Sequence, residues 1–149
     1  MAKNLNQRLD RHLPAVLSLF RCVYGLLFAG AGSISLFDWP VHSTRSVGVG
    51  AWPGWYAGVI ELVAGLLIAI GLFTRAAAFI ASGEMAVAYF LVHAHLRFWP
   101  ILNGGEIVVA NCFVFLYIAA RGAGALSVDE WIERRERGAG QRSSLSSGG

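Results

Sequence analysis

Four long apolar segments alternate with short polar connections along this chain of 149 residues. They cover residues 13–37, 55–73, 76–96 and 104–120. Three of them have the roughly 20 residues that a helix needs to cross the hydrocarbon core of a bilayer, and the fourth is shorter. The pattern predicts an all-α integral membrane protein, in which residues 14–121 form one four-helix bundle with short flanking interfacial helices.

Both flanks of the bundle carry weaker helical patterns. Residues 1–13 predict an amphipathic segment, because Leu5, Leu9 and Leu13 recur at helical spacing. In the tail, 122–149, Ser127 and Glu130 form an S-x-x-E capping box that predicts a short helix over 128–137. Its apolar stripe would be Val128, Trp131 and Ile132, and its ion pairs Glu130–Arg134 and Glu133–Arg137. The Gly/Ser-rich remainder predicts disorder.

Composition supports a lipid environment. Hydrophobic residues make up 56% of the chain and charged residues only 14%, against about 25% in soluble domains. The net charge of +3 comes almost entirely from arginines at the chain ends and helix ends. That distribution suits an anionic lipid surface and disfavours nucleic acid as a partner. Cys22 and Cys112 stand in separate apolar segments, so a self-contained thiol–disulfide enzyme is disfavoured.

The placement of arginine predicts the orientation. Basic residues concentrate before the first span, at Arg75 and after the fourth span. By the positive-inside rule both termini and Arg75 would face the cytoplasm, and loops 39–54 and 97–103 would face outward. An aromatic belt would then mark the outer surface, formed by Trp39, Trp52, Trp55, Tyr56, Phe98 and Trp99.

Ionisable side chains inside membrane spans are functional candidates, because each costs several kcal/mol unless it is paired or hydrated. Glu61 shares a helical face with Ala57, Gly58, Ala64 and Gly65. Small residues mark helix contacts in membranes, so Glu61 should point into the bundle. It could act there as a proton-exchanging group, or merely join helices by hydrogen bonds.

Arg21 and Glu84 also lie on small-residue faces, of the first and third spans. Each is about eight residues from the predicted inner end of its span, or roughly 12 Å deep at about 1.5 Å per residue. The matched depth predicts a buried Arg21–Glu84 ion pair, which would neutralise both charges.

A second polar cluster is predicted at the outer ends of the spans. Glu61 and His93 would face the tetrapeptide Asn103-Gly104-Gly105-Glu106 in one pocket between spans two, three and four. The tetrapeptide reads as an N-x-x-E capping box, and its glycines would also let a ligand reach helix N-terminal amides. His93 and His95 diverge on a helix, so the sequence predicts no metal site.

These residues resemble the DoxX family of small bacterial membrane proteins. The resemblance covers about 21–129 and rests on four motifs in a fixed order: Arg21-x-x-x-Gly25-x-x-Phe28-x-x-Ala31-Gly32 with Leu36-Phe37, Glu61-Leu62-x-x-Gly65 with Gly71-Leu72-Phe73-Thr74-Arg75, Glu84-Met85-Ala86-x-Ala88-Tyr89-Phe90-x-x-His93, and Phe98-Trp99-Pro100-x-x-Asn103-Gly104-Gly105-Glu106. One departure is Ser35, since many members have a lysine shortly before Leu-Phe.

The resemblance implies a four-helix membrane bundle and a relation to the membrane subunits of thiosulfate:quinone oxidoreductase. It therefore favours a quinone-linked redox subunit of the plasma membrane, with Glu61 and His93 relaying protons. No covalent cofactor or flavin motif is expected, and electrons would come from a redox partner protein or a small reductant. Two alternatives stay open: a non-catalytic assembly module for a partner, and a small proton or solute transporter. Homo-oligomerisation is compatible with each.

Overall fold

The computed structural model describes the backbone of residues 2–42 and 47–146, and the side chains of 12–42 and 47–138. All regular structure in these ranges is helical, as predicted. The elements are α1 (Ala2–Phe37), α2 (Gly54–Ile70), α3 (Thr74–Ala88) with a π-helical turn (Tyr89–His93), α4 (Pro100–Asn103), α5 (Glu106–Arg121) and α6 (Val128–Ser146). Two helical stretches, His12–Phe37 and Thr74–His93, are long and apolar enough to cross a membrane, and α2 is apolar but shorter.

The flanking helices are longer than the sequence predicts. α1 runs without a break from Ala2 through Pro14, and the side chains of Leu5 and Leu9 lie outside the described residues. α6 passes the predicted end at Arg137 and continues to Ser146. Extending an existing helix adds one hydrogen bond per residue, whereas starting a helix is costly, and propagation therefore carries through the glycines.

Glycines bring α1 and α2 into backbone contact. A Cβ atom added to Gly65 would lie 2.7 Å from the carbonyl oxygen of Gly25 and 2.8 Å from the Cα of Ala29. Gly32 is similarly pressed against Gly58 of α2. Only glycine permits so close an approach, as is usual for helix pairs in membranes. The small-residue faces in the sequence therefore mark the surfaces that pack, although they do not specify that α1 and α2 pack against each other.

α3 and α5 form the second closely packed pair, and aromatic rings join the two pairs. Ser82 of α3 donates a hydrogen bond to the carbonyl oxygen of Cys112 at 2.8 Å. Phe115 of α5 is fully buried, and its ring centroid lies 4.5 Å from that of Phe28 on α1. α2 contacts α3 as well, because left-handed Gly71 closes the short turn between them.

The bundle has two ends of different character. The Arg21 end contains the α2–α3 turn and the α5–α6 linker, 122–127. The His93 end contains residues 38–42 and 47–53 and the segment 94–105. Large apolar side chains such as Leu19, Phe79 and Phe113 are about two-thirds exposed between these ends, whereas Ser18, Arg21, Thr74 and Ser82 are buried.

Candidate functional site

The π-helical turn shapes the His93 end of α3. Ala94 donates its backbone N–H to the carbonyl oxygen of Tyr89 at 2.9 Å, five residues back. Such wide turns are rare and frequently occur at functional sites. The rings of Tyr89 and His93 stack nearly parallel, with centroids 6.3 Å apart. The turn therefore places a tyrosine and a histidine side by side where α3 ends.

Asn103 fastens the following segment to this turn. Its backbone oxygen accepts a hydrogen bond from Nδ1 of His93 at 3.1 Å. Its side chain donates to the carbonyl oxygen of Arg97 at 2.6 Å and accepts from the backbone N–H of Gly105 at 2.8 Å. A Cβ at Gly105 would lie 2.8 Å from both Asn103 Oδ1 and the Tyr89 ring. Asn103 and Gly105 are therefore positioning residues for His93.

The predicted N-x-x-E capping box is wrong. α5 begins at Glu106 with Gly105 as its N-cap, and no side chain caps it. Asn103 instead ends the short helix α4, and Gly104, with φ of 70°, turns the chain between the two helices. The left-handed glycine separates Asn103 from α5, so the two residues of the motif cannot belong to one helix start. Glu106 is exposed.

A cavity of about 470 Å³ contains three of the six residues predicted to share one pocket. Glu61, His93 and Gly104 line it, whereas Asn103, Gly105 and Glu106 do not. The cavity lies among α1, α2, α3 and α5, so the predicted location between spans two, three and four omits one wall. The omitted wall is α1. This wall and the remaining lining on α3 and α5 are mainly apolar and aromatic, and they are formed by Tyr24, Leu27, Phe28, Ala31, Met85, Ile107, Val108 and Phe115.

Asn111 is a third polar side chain in the cavity wall, and the sequence analysis missed it. The signal was available, because an amide inside an apolar span is unusual in the same way as a carboxylate. Tyr24 was missed for another reason: α1 was not expected to contribute. The cavity thus combines a carboxylate, an imidazole and an amide with aromatic walls.

The predicted Arg21–Glu84 ion pair is wrong. All four hydrogen bonds described for the Arg21 guanidinium go to backbone oxygens. On α2 the acceptors are Ile68 and, at 2.8 Å, Ala69; in the α5–α6 linker they are Ala123 and Leu126, at 2.8 Å each. No salt bridge joins Arg21 to Glu84 among the described side chains. The last carbonyls of a helix lack partners and carry partial negative charge, so they satisfy a buried arginine.

Further hydrogen bonds hold α3, α5 and α6 together at the Arg21 end. Asp129 of α6 accepts hydrogen bonds from the backbone N–H groups of Phe73 at 2.9 Å and Thr74 at 3.0 Å, and thereby caps α3. Arg75 donates to the carbonyl oxygen of Ala120 at 2.8 Å, at the end of α5. In α6 itself, Ser127 Oγ accepts a hydrogen bond from the N–H of Glu130 at 3.2 Å, which confirms the serine half of the predicted capping box. The side chain of Glu130 accepts from Arg134 instead. The pairs Glu130–Arg134 and Glu133–Arg137 are confirmed at 2.9 and 3.3 Å.

Glu84 faces a different surface from the one predicted. One of its carboxylate oxygens is buried and has no hydrogen-bond partner in the described part of the chain. The residue lines a groove of about 340 Å³ between α2 and α3, outside the cavity. The acidic group acting on it electrostatically is Glu61. The two carboxylates therefore stand on neighbouring helices, one lining the cavity and the other the groove.

Comparison with known proteins identifies the family. The DoxX family model matches residues 16–94, more than half of the chain. The chain belongs to the DoxX family. The matched segment contains Arg21, Glu61, Glu84 and His93, and DoxX proteins are membrane-associated.

A relative from Haemophilus influenzae, described as an uncharacterized protein, is 41% identical over 125 residues. The alignment covers 81% of this DoxX chain and 93% of the relative. No solved structure matches the chain significantly. The family assignment therefore comes with no activity attached, and function must be argued from the site.

Proposed function

We propose that this DoxX protein crosses the bacterial plasma membrane four times, through α1, α2, α3 and α5. The supporting observation is the inverted distribution of side chains: large apolar groups are exposed around the bundle while Arg21, Ser18 and Thr74 are buried. α2, with 17 residues, and α5, with 16, span only about 25 Å each. Local thinning of the bilayer and snorkelling by Arg121 would accommodate them.

The proposed orientation places the Arg21 end in the cytoplasm. Gly48→Cys and Gly138→Cys form a matched pair of probes, because a Cβ at either position meets no atom within 4 Å. In a background lacking Cys22 and Cys112, intact cells should label position 48 with a membrane-impermeant maleimide. Position 138 should react only after permeabilisation. Labelling of 138 in intact cells, with 48 protected, would invert the topology.

We further propose that the cavity binds the headgroup of a quinone and exchanges protons with it. A quinone headgroup is a flat ring with two carbonyl oxygens, which accepts two protons on two-electron reduction. The carboxyl group of Glu61 and the amide of Asn111 provide hydrogen-bonding groups, and Tyr24, Phe28 and Phe115 provide apolar ring contacts. The observation that carries the proposal is that these groups line one cavity.

The contact of His93 with Asn103 defines which nitrogen can exchange protons. A backbone oxygen only accepts hydrogen bonds, so Nδ1 of His93 must carry the hydrogen in this arrangement. Nε2 is then the nitrogen with a free lone pair, which can accept a hydrogen bond or a proton from a ligand in the cavity. Glu61 and His93 together would pass protons between the cavity and the outer surface. The sequence contains no haem pair, flavin motif or Fe–S cysteine set, so electrons would come from a partner or small reductant.

Glu61→Gln should separate proton exchange from binding. Glutamine keeps the shape and hydrogen bonding of the carboxyl group but cannot ionise, whereas Glu61→Ala also removes the hydrogen bond. We expect a short-chain ubiquinone to bind the Gln variant within about threefold of wild type and the Ala variant about tenfold more weakly. Infrared difference spectra recorded on electrochemical reduction should lose a carboxyl band in the Gln variant.

Glu106→Gln is the matched control, because Glu106 is exposed and lies outside the cavity. It should bind ubiquinone like the wild type and retain the carboxyl band. Saturable ubiquinone binding that Glu61→Ala leaves unchanged would place the quinone elsewhere. Absence of saturable binding to the wild-type protein in lipid nanodiscs would refute the quinone proposal.

A further inference from the structure

The groove between α2 and α3 is chemically unlike the cavity. Its wall consists of Trp52, Pro53, Gly54, Tyr56, Ala57, Ile60, Ile80, Glu84, Val87, Ala88, Leu91 and Val92. Apart from Glu84, the only side chain there that carries a hydrogen-bonding oxygen is Tyr56. Ile80, Val87 and Leu91 are each about half exposed, so the groove opens on the side of the bundle that would face lipid.

Glu84 makes this otherwise apolar groove favourable for a positively charged ligand. A carboxyl group in such surroundings is neutralised either by a proton or by a cation, because an uncompensated buried charge is strongly destabilising. Arg21, the nearest candidate by depth, is fully engaged with backbone oxygens. Among the residues that the structure describes, no lysine, arginine or histidine lines the groove, and no salt bridge to Glu84 occurs. A cationic ligand would supply the positive charge that these residues do not provide.

Two aromatic rings add a second feature with the same preference. Trp52 and Tyr56 lie at the His93 end of the groove, with ring centroids 5.7 Å apart. The faces of tryptophan and tyrosine attract cations, and bulky organic cations are commonly bound between such rings. A cation that reached the groove through lipid would need an apolar exterior, which the aliphatic walls would contact.

We propose that the α2–α3 groove is a binding site for a lipophilic organic cation, whose charge is neutralised by Glu84 and whose apolar groups pack on Trp52, Tyr56 and the aliphatic wall. The proposal shares with the quinone proposal only the membrane location. It concerns a different surface, a different carboxyl group and a positively charged ligand instead of a neutral one.

Binding should be coupled to release of a proton. Without a cation, a proton neutralises the carboxyl group of Glu84, because one of its oxygens is buried and has no hydrogen-bond partner among the described residues. The cation then replaces the carboxyl proton: the O–H bond of Glu84 breaks, the proton passes to the buffer, and carboxylate and cation form an ion pair. The titratable groups facing this exchange are Glu61 on α2 and Tyr56 in the groove wall.

Tetraphenylphosphonium is a suitable probe, measured with an ion-selective electrode on the full chain in lipid nanodiscs. We expect saturable binding of one cation per chain, with an affinity that rises by up to about tenfold per pH unit while Glu84 is protonated. Uptake should release one proton per cation in weakly buffered solution. Triphenylphosphine oxide, which is neutral and of related shape, should not compete.

Glu84→Gln should weaken tetraphenylphosphonium binding at least about tenfold and abolish proton release. Glu106→Gln, an equivalent change at an exposed site, should bind within about twofold of wild type. Val87→Trp tests the groove without touching the carboxylate: the half-exposed valine lines the groove, and the larger ring should block it. Size-exclusion profiles and helical circular dichroism should confirm that each variant folds.

Each contrary outcome is distinct from failure of the quinone proposal. Uptake that is equal in wild type, Glu84→Gln and empty nanodiscs would overturn the cation site while leaving ubiquinone binding at Glu61 untouched. Ubiquinone binding that depends on Glu84 and Val87 but not on Glu61 would also overturn it, because the groove would then hold a neutral ligand. Cation binding lost in Glu84→Gln and retained in Glu61→Ala supports the site irrespective of the quinone result.

Discussion

Arg21→Ala should lower the free energy of unfolding by at least about 3 kcal/mol. The guanidinium is 2% exposed and donates to Ala69, Ala123 and Leu126 as well as Ile68. Its removal leaves four carbonyl oxygens without this donor and opens a cavity between α2 and the linker, and each buried acceptor left unpaired costs about 1–3 kcal/mol. Arg21→Lys should be intermediate, because an ammonium group cannot reproduce the guanidinium fork.

Thermal unfolding in a mild detergent measures this effect, and Arg97→Ala is the control. Arg97 is exposed. Its backbone oxygen accepts a hydrogen bond from Asn103, whereas no hydrogen bond or ion pair of its side chain is described. Its replacement should change the unfolding temperature little. If Arg21→Ala melts at the same temperature as Arg97→Ala, the hydrogen bonds of Arg21 contribute nothing to stability.

Gly65→Ala should destabilise the α1–α2 contact by about 2–3 kcal/mol, an overpacking cost. The added methyl group would lie 2.7 Å from the backbone oxygen of Gly25 and would also press on the backbone nitrogen of Ala29. Backbone atoms cannot rotate away, so the two helices must separate. Detergent unfolding and protease resistance should both decrease.

Gly30→Ala on the same helix pair is the matched control. A Cβ at Gly30 meets no atom within 4 Å, so the substitution adds a methyl group without a clash. It should be neutral or stabilising by up to about 1 kcal/mol, because alanine is the better helix former. Equal stability of Gly65→Ala and Gly30→Ala would show that the glycine contact between the helices does not determine stability.

The sequence predicts the helices and the face of each that packs, but it does not predict the partner of Arg21. The spacing of small residues indicates the packing face of each helix, because such residues have few other roles in apolar helices. The residues concerned are Gly25, Gly32, Gly58 and Gly65. The depth of a residue in its span, by contrast, does not indicate which neighbouring helix its side chain faces. In addition, the acceptors of Arg21 are backbone oxygens. Every residue has one, so no sequence motif indicates which of them bind Arg21.

The candidate site shows the same division. Glu61 and His93 could be assigned to one cavity because both lie near the same end of neighbouring helices. Glu106 could not be placed, because its role depended on a local motif that left-handed Gly104 interrupts. Tyr24 and Asn111 join the cavity through the packing of α1 against α5, and nothing in their own neighbourhoods indicates that contact.

The acceptors of Arg21 also impose an order on biogenesis. Ala123 and Leu126 follow Arg21 by 102 and 105 residues. When α1 and α2 have been synthesised, half of the oxygens that bind the guanidinium have not yet been made. Arg21 obtains its full set of acceptors only after the α5–α6 linker has been translated. A chain truncated after α5 should therefore retain an incompletely satisfied arginine between its first two helices.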